Sequence, residues 1–348
     1  MTSACILGCS GLELTPEERA LFRDARPWGF ILFKRNVGDP RQVRALVQSF
    51  RDCVGRPDAP VLIDQEGGRV QRLGPPHWRR YPTGRAYGLA GGGDPMRRRE
   101  LARLGGRLLA HDLKALGITV DCAPVLDTPQ PGAHDVIGDR AYGQDWETVA
   151  ELGRAVCEGL LAGGVLPVIK HAPGHGRAGA DSHLDLPVVD APYEALERAD
   201  FRPFRACSDM PMAMTAHVVY AAIDEARPAT TSPEVIRLIR EALGFDGLLL
   251  SDDLSMKALC GAFEDRARQA LHAGCDVVLH CNGDMDEMRA VLRGCGELAG
   301  EPLRRARAAL HRIVREVEPL DEAAARTRFA EAFPETAPPE APSGTAAS

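Results

Sequence analysis

The chain has 348 residues, 45% hydrophobic and 26% charged, a composition that excludes collagenous, largely disordered and membrane-embedded chains. Lys and Arg total 42 against 49 Asp and Glu, a formal charge of −7. Such a balance gives no electrostatic pull toward phosphate backbones or anionic lipid, so neither nucleic acid nor a membrane is an expected partner. Ten cysteines, spread from Cys5 to Cys295 with no C-x-x-C pair, read as reduced, mostly buried thiols. The first residues lack a basic stretch and no run reaches 18 apolar residues, which together predict a cytoplasmic protein. Nothing points to a partner chain, and a monomer is expected.

In chain order, a short first strand is expected at 4–8, followed by a helix announced by Thr15-Pro16-Glu17-Glu18, a capping box with proline at the first helical position. Asp39-Pro40 opens a second helix whose apolar face is Val43, Leu46, Val47 and Phe50. Val149, Leu152, Val156 and Leu160 mark another, ending at Gly163-Gly164. Ser232-Pro233 starts a further one with Val235, Leu238, Ile239 and Ala242 on one face, ending at Gly244. Between helices lie nearly continuous apolar runs at 29–33, 60–63, 118–126, 165–169, 210–214, 248–250 and 275–279. Continuous apolarity means burial on both faces, the signature of parallel strands. With the strand at 4–8 this makes about eight βα units, so the expected fold is α/β, a single-domain (β/α)8 TIM-type barrel over 1–320. Residues 321–348, rich in Ala, Glu, Pro and Thr, are expected to form an extension, disordered from about 337 and dispensable for chemistry.

Polar residues stand just past nearly every strand: Lys34 and Asn36, Asp64, Asp127, Lys170 and His171, His217, Asp252 and Asp253, His280 and Asn282. In a barrel these converge on the C-terminal face, where active sites are built. The densest group is Lys170 to Gly176 followed by Asp181-Ser182-His183. An Asp two residues from a His can accept from one ring nitrogen and leave the other to exchange a proton with substrate. Asp252, directly after an apolar strand, is placed to attack an anomeric carbon or to stabilise positive charge there, although an Asp-Asp pair at a helix start also serves as an ordinary cap. In Asp64-Gln-Glu-Gly-Gly-Arg-Val-Gln-Arg72, a carboxylate with nearby arginines suits sugar hydroxyls. The Gly pair lacks the spacing and the lysine of a phosphate loop, so no nucleotide cofactor is expected.

Taken together, Asp64 to Arg72, Ala123 to Asp127, Val136 to Arg140, Lys170 to Gly176, Asp181 to His183, Met214 to His217 and Ser251 to Met256 resemble the cytoplasmic β-N-acetylglucosaminidases of glycoside hydrolase family 3, the NagZ type. The resemblance runs in order from about residue 5 to 317. It implies removal of terminal N-acetylglucosamine from muropeptides with retained configuration. Asp252 would be the nucleophile, Asp181 and His183 the acid/base dyad, and Asp64, Arg72, Arg140, Lys170 and His171 would hold the sugar; no metal or other cofactor is implied. The family commonly has an aromatic residue where this chain has Ala172, which bears on how the following loop packs. Because one member of the usual carboxylate pair is a histidine, an incoming anion would be less repelled, and phosphorolysis is a secondary expectation. A different class of reading takes His171, His175, His183, His217 and Asp252 as metal ligands of an amidohydrolase barrel, but the His-x-His pair that usually opens such barrels is missing. A silent sugar-binding barrel would be expected to lose the nucleophile or the dyad, and both are present.

Overall fold

A computed structural model of the chain describes residues 1–180, 182, 185–313 and 316–336. Eight parallel strands close into a barrel in sequence order: β1 (Ser3–Leu7), β2 (Pro27–Leu32), β3 (Val61–Ile63), β4 (Val120–Asp121), β5 (Leu166–Ala172), β6 (Met212–Thr215), β7 (Leu248–Asp253) and β8 (Val277–His280), with β8 hydrogen-bonded back to β1. Each strand falls within or beside one of the apolar runs, and the reason for their continuous apolarity is visible in the packing. Ile6, Ile31, Leu62, Val120, Val168, Met212, Leu248 and Val277 form one cluster, while the alternate residues Cys5, Phe30, Ile63, Ile169, Ala213, Leu249 and Val278 pack with the helices in another. Period-two alternation therefore persists, with both faces apolar.

The helix starts follow the capping chemistry. Thr15 forms a complete capping box with Glu18, Asp39 accepts from the amides of Arg41 and Gln42, and Ser232 accepts from that of Val235. The longest helix, Pro95–Lys114, also begins on an Asp-Pro pair, but its apolar stripe is interrupted by Gly105 and Gly106. Those glycines let it lie against Trp146–Ala162: a Cβ on Gly106 would collide with the Val156 carbonyl, and one on Gly159 with that of Arg103.

Three details differ from the sequence expectation. The run 118–126 yields only a two-residue strand, because Pro124 has no amide to donate; Val125 and Leu126 still pair with Lys170 as an isolated bridge. The helix begun at Pro233 widens into a π turn over Leu238–Ala242, and the extra residue moves the buried position from Ala242, which is exposed, to Leu243. Finally, residues past 320 are not merely appended. Glu322–Ala332 is a helix capped by Asp321, and Phe329 and Phe333, each 3% exposed, pack on Tyr87. Arg326 pairs with Asp112 on the barrel side. The tail expected to be disordered, 337–348, lies outside the described residues. Among the described residues, no helix is long and apolar enough to cross a membrane.

Candidate active site

The C-terminal mouth of the barrel holds a pocket walled by Asp64, Glu66, Arg72, Arg140, Lys170, His171, His175, Ser182 and Asp252, with Phe33, Val136, Ile137 and Met256 as its apolar side. One wall is an ion-pair cluster built on the strand ends. Asp64, the first residue after β3, takes Lys170 Nζ at 2.9 Å on one oxygen and Arg72 Nη2 at 2.9 Å on the other. Two residues on, Glu66 accepts from Arg140 Nε and Nη2 at 2.8 Å each and is ion-paired with Lys170 Nζ at 2.6 Å. A tight hairpin, Gln65–Gly67 against Val70–Gln71, brings Arg72 back over Asp64. Gly67 is required there: its φ is +101° and a Cβ would strike the Pro82 carbonyl.

Burial opposes charge on both carboxylates, yet the cations outweigh it. Lys170 and Arg72 hold Asp64 well below the usual range, and Arg140 and Lys170 hold Glu66 at about 2. Burial likewise works against the Lys170 cation, and Asp64 and Glu66 overcome it, raising its pKa. Three cations thus share two carboxylates, a rigid set of charged donors and acceptors suited to sugar hydroxyls. Beneath them Asp121 is fully buried; burial raises its pKa well above the carboxylate range, and only one of its oxygens has a partner, the Gln65 amide.

A second wall comes from β5. His171 Nδ1 lies 2.7 Å from Asp127 Oδ2, and Asp127 Oδ1 accepts from the His175 amide at 2.7 Å and from the His171 amide at 3.2 Å. Burial opposes ionisation of Asp127, and His171 more than compensates, leaving it at about 2. The His171 ring is therefore oriented by a buried anion, with its other nitrogen available to the pocket. His175 approaches the Ser182 hydroxyl at 3.3 Å, and burial lowers it to about 4, a neutral ring. At Ala172, where the resemblance leads one to expect an aromatic side chain, the strand stays buried and its carbonyl accepts from the Ala216 amide; the Tyr220 hydroxyl then holds the Gly174 carbonyl at 2.7 Å.

The adjacent acids at the end of β7 have different duties. Asp253 is spent on structure: its Oδ1 accepts from the Ser255 and Cys281 amides and its Oδ2 from the Ser255 hydroxyl. Among the described residues Asp252 accepts only from the Asp253 amide, at 2.8 Å, and it faces the pocket. Burial works against its charge, but His217, His171, that amide and Lys170 together lower its pKa. His217 itself is pushed down by burial, so the Asp253 amide, which donates directly, and the positive charge of Lys170 are the fixed contributors. A neutral His217 fits its bonds: Nε2–H donates to the Asp253 carbonyl at 2.9 Å, and Nδ1 accepts from the Thr230 hydroxyl at 2.7 Å, which in turn accepts from Thr215 at 2.8 Å. This ladder pins the backbone that carries Asp252.

Of the eight site residues expected from sequence, Asp64, Arg72, Arg140, Lys170, His171 and Asp252 line this one pocket. Asp181 and His183 lie outside the described residues. Sequence reasoning passed over Glu66, Phe33 and the Thr230 hydroxyl. Glu66 stood inside a motif already marked, two residues from Asp64, whereas nothing in the sequence pointed to Thr230. Of the residues the metal reading names, His217 is already committed, with both ring nitrogens bonded, and His183 lies outside the described residues.

A carboxylate on β7 facing a pocket lined by paired charges, at the mouth of a parallel barrel, is an arrangement suited to glycoside cleavage. The glycosyl hydrolase family 3 N-terminal domain matches residues 9–315, and the chain belongs to that family. It is 43% identical over 284 residues to a β-hexosaminidase of Thiobacillus denitrificans, covering 80% of this chain and 77% of that one. A β-hexosaminidase of Alkalilimnicola ehrlichii is 42% identical over 293 residues, 83% of each chain. The solved structure of NagZ from Neisseria gonorrhoeae in complex with N-trifluoroacetyl-D-glucosamine superposes with a TM-score of 0.83 at 32% identity, covering 97% of this chain and 99% of that one.

Proposed function

We propose that the protein is a retaining exo-β-N-acetylglucosaminidase that removes the non-reducing terminal N-acetylglucosamine from muropeptides, GlcNAc-1,6-anhydro-MurNAc-peptides, in the cytoplasm. Its class, a glycoside hydrolase of the β-N-acetylhexosaminidase kind, accords with its family and with its curated relatives. One observation carries the mechanism: of two adjacent acids, Asp253 is bound on both oxygens by Ser255 and Cys281, while Asp252 faces the pocket with, among the described residues, a single amide on it and a lowered pKa. An ionised carboxylate with spare lone pairs is what nucleophilic attack at an anomeric carbon needs.

In the first step Asp252 Oδ bonds to C1 as the glycosidic C–O bond breaks, and protonated His183 gives its proton to the leaving oxygen. In the second, neutral His183 takes a proton from water, the resulting hydroxide bonds to C1, and the Asp252 ester bond breaks. Asp181 orients His183; the roles of both rest on the family resemblance. Asp64, Arg72, Arg140, Lys170 and His171 hold the sugar hydroxyls, with geometry already fixed before substrate arrives. Incubating the protein with GlcNAc-1,6-anhydro-MurNAc-tripeptide and following the first-formed anomer by proton NMR tests this reading. Release of β-N-acetylglucosamine is expected, and either α-anomer first or no release would overturn it.

A further inference from the structure

Next to Phe33 on the pocket wall stand two cations that the sugar-binding cluster does not use. Phe33, the residue after β2, lines the pocket, and two guanidiniums approach its ring: Arg72 at 4.8 Å and Arg35 at 5.3 Å from the centroid. Arg72 is already paired with Asp64. Arg35 instead donates to two main-chain carbonyls, Cys9 at 2.9 Å and Cys281, and Lys34 Nζ reaches only the Arg72 carbonyl at 3.5 Å. Both Lys34 and Arg35 are exposed. Among the described residues neither has a carboxylate partner, although Arg69, Arg72 and Arg140 nearby each have one. In a chain with seven more acids than bases, two exposed cations with no carboxylate partner among the described residues, adjoining a pocket-lining side chain, are a local positive field.

We infer that Lys34 and Arg35 form an aglycone subsite for a carboxylate, so that the enzyme favours N-acetyl-β-glucosaminides whose leaving group is an acid over neutral ones. The inference rests on the hexosaminidase reading and adds a preference to it. The carbonyl bonds of Arg35 clamp its guanidinium and, among the described residues, leave Nη1 without a partner, while the Phe33 ring lies against it, so a carboxylate meets a preorganised donor with the Lys34 ammonium adjacent in the chain. The sugar-binding residues stay engaged with one another and need not move. Among the described residues, the one hydrogen bond of the Lys34 side chain goes to the Arg72 carbonyl.

The test compares kcat/KM for three substrates with one glycone: a neutral aryl N-acetyl-β-glucosaminide, N-acetylglucosaminyl-β-1,4-anhydro-N-acetylmuramic acid, and the methyl ester of that disaccharide. Wild type should prefer the acid over its ester by about three- to tenfold, the range of one or two solvent-exposed ion pairs, and 0.5 M salt should shrink the preference. Lys34→Glu should erase or invert it while hydrolysing the neutral aryl substrate at the wild-type rate. Equal rates on acid and ester by wild type, or an equal fall on all three substrates in Lys34→Glu, would overturn the subsite. Inorganic phosphate should not accelerate turnover of the aryl substrate; acceleration that Lys34→Glu removes would reassign the rim to an attacking anion. If wild type hydrolyses none of the three, the parent reading fails and the subsite with it.

Discussion

Glu66→Gln removes one charge from the centre of the ion-pair cluster while keeping its shape. The wild-type carboxylate is 8% exposed and is held at about 2 against an ordinary value of 4.5, mainly because Arg140 and Lys170 outweigh its burial. That gap corresponds to about 3 kcal/mol in favour of the ionised form, at about 1.4 kcal/mol per tenfold. The independent expectation for removing one member of a buried pair is about 3–5 kcal/mol, because the partner charges stay buried. Glutamine is the neutral analogue, and its amide group must point a donor at one of the two cations. Unfolding free energy should therefore fall by about 3 kcal/mol in urea titrations. Lys170 and Arg140 lose their shared anchor, so kcat/KM on an aryl N-acetyl-β-glucosaminide should fall about 100-fold, or about 2.7 kcal/mol in the barrier. A variant within threefold of wild-type activity and within 0.5 kcal/mol in stability, roughly the scatter of a neutral surface change, would refute the claim that this cluster is both buried and preorganised.

Thr230→Val leaves His217 Nδ1 buried without its donor; we expect about 1–3 kcal/mol of destabilisation and a lower kcat with little change in KM, with the 15N shift of Nδ1 reporting loss of its hydrogen bond while Nε2–H stays on the Asp253 carbonyl. An unchanged Nδ1 shift would contradict the ladder. Phe329→Ala should cost about 3–5 kcal/mol in thermal or urea unfolding, since the ring packs on Tyr81, Tyr87 and Phe333; a change under 1 kcal/mol would mean the last helix is not docked. Glu66 and Asp127, both held at about 2, lie below their unfolded values near 4.3 and 3.9. The stability they confer is therefore complete above about pH 4 and is lost as pH falls toward 2, and Glu66→Gln should show a shallower acid limb than wild type by circular dichroism.

The barrel was legible because each strand is a short apolar run that needs only local sequence to be recognised, and because Thr15, Asp39 and Ser232 cap helices through bonds to residues two or three positions away. What escaped was set by longer contacts. The π turn at Leu238–Ala242 changes which side chain is buried without leaving any mark in composition. The helix at Glu322–Ala332 has so little amphipathic pattern that its docking is written in distant contacts, Phe329 and the following Phe333 meeting Tyr87 across more than 200 residues and Arg326 meeting Asp112. At the site, the ionisable residues past the strands were visible one by one. Their pairing was not: Lys170 meets Asp64 across 106 residues, and Asp253, as acidic as its neighbour in sequence, is withdrawn from chemistry by Ser255 and Cys281.

Nitrophenol release from an aryl N-acetyl-β-glucosaminide, by chelator-treated wild type and by Asp252→Ala side by side, tests the central claim most directly. The account predicts that chelation leaves activity intact and that Asp252→Ala abolishes it while folding normally. Activity lost to the chelator, or kept by the variant, would contradict a metal-free mechanism with Asp252 as nucleophile.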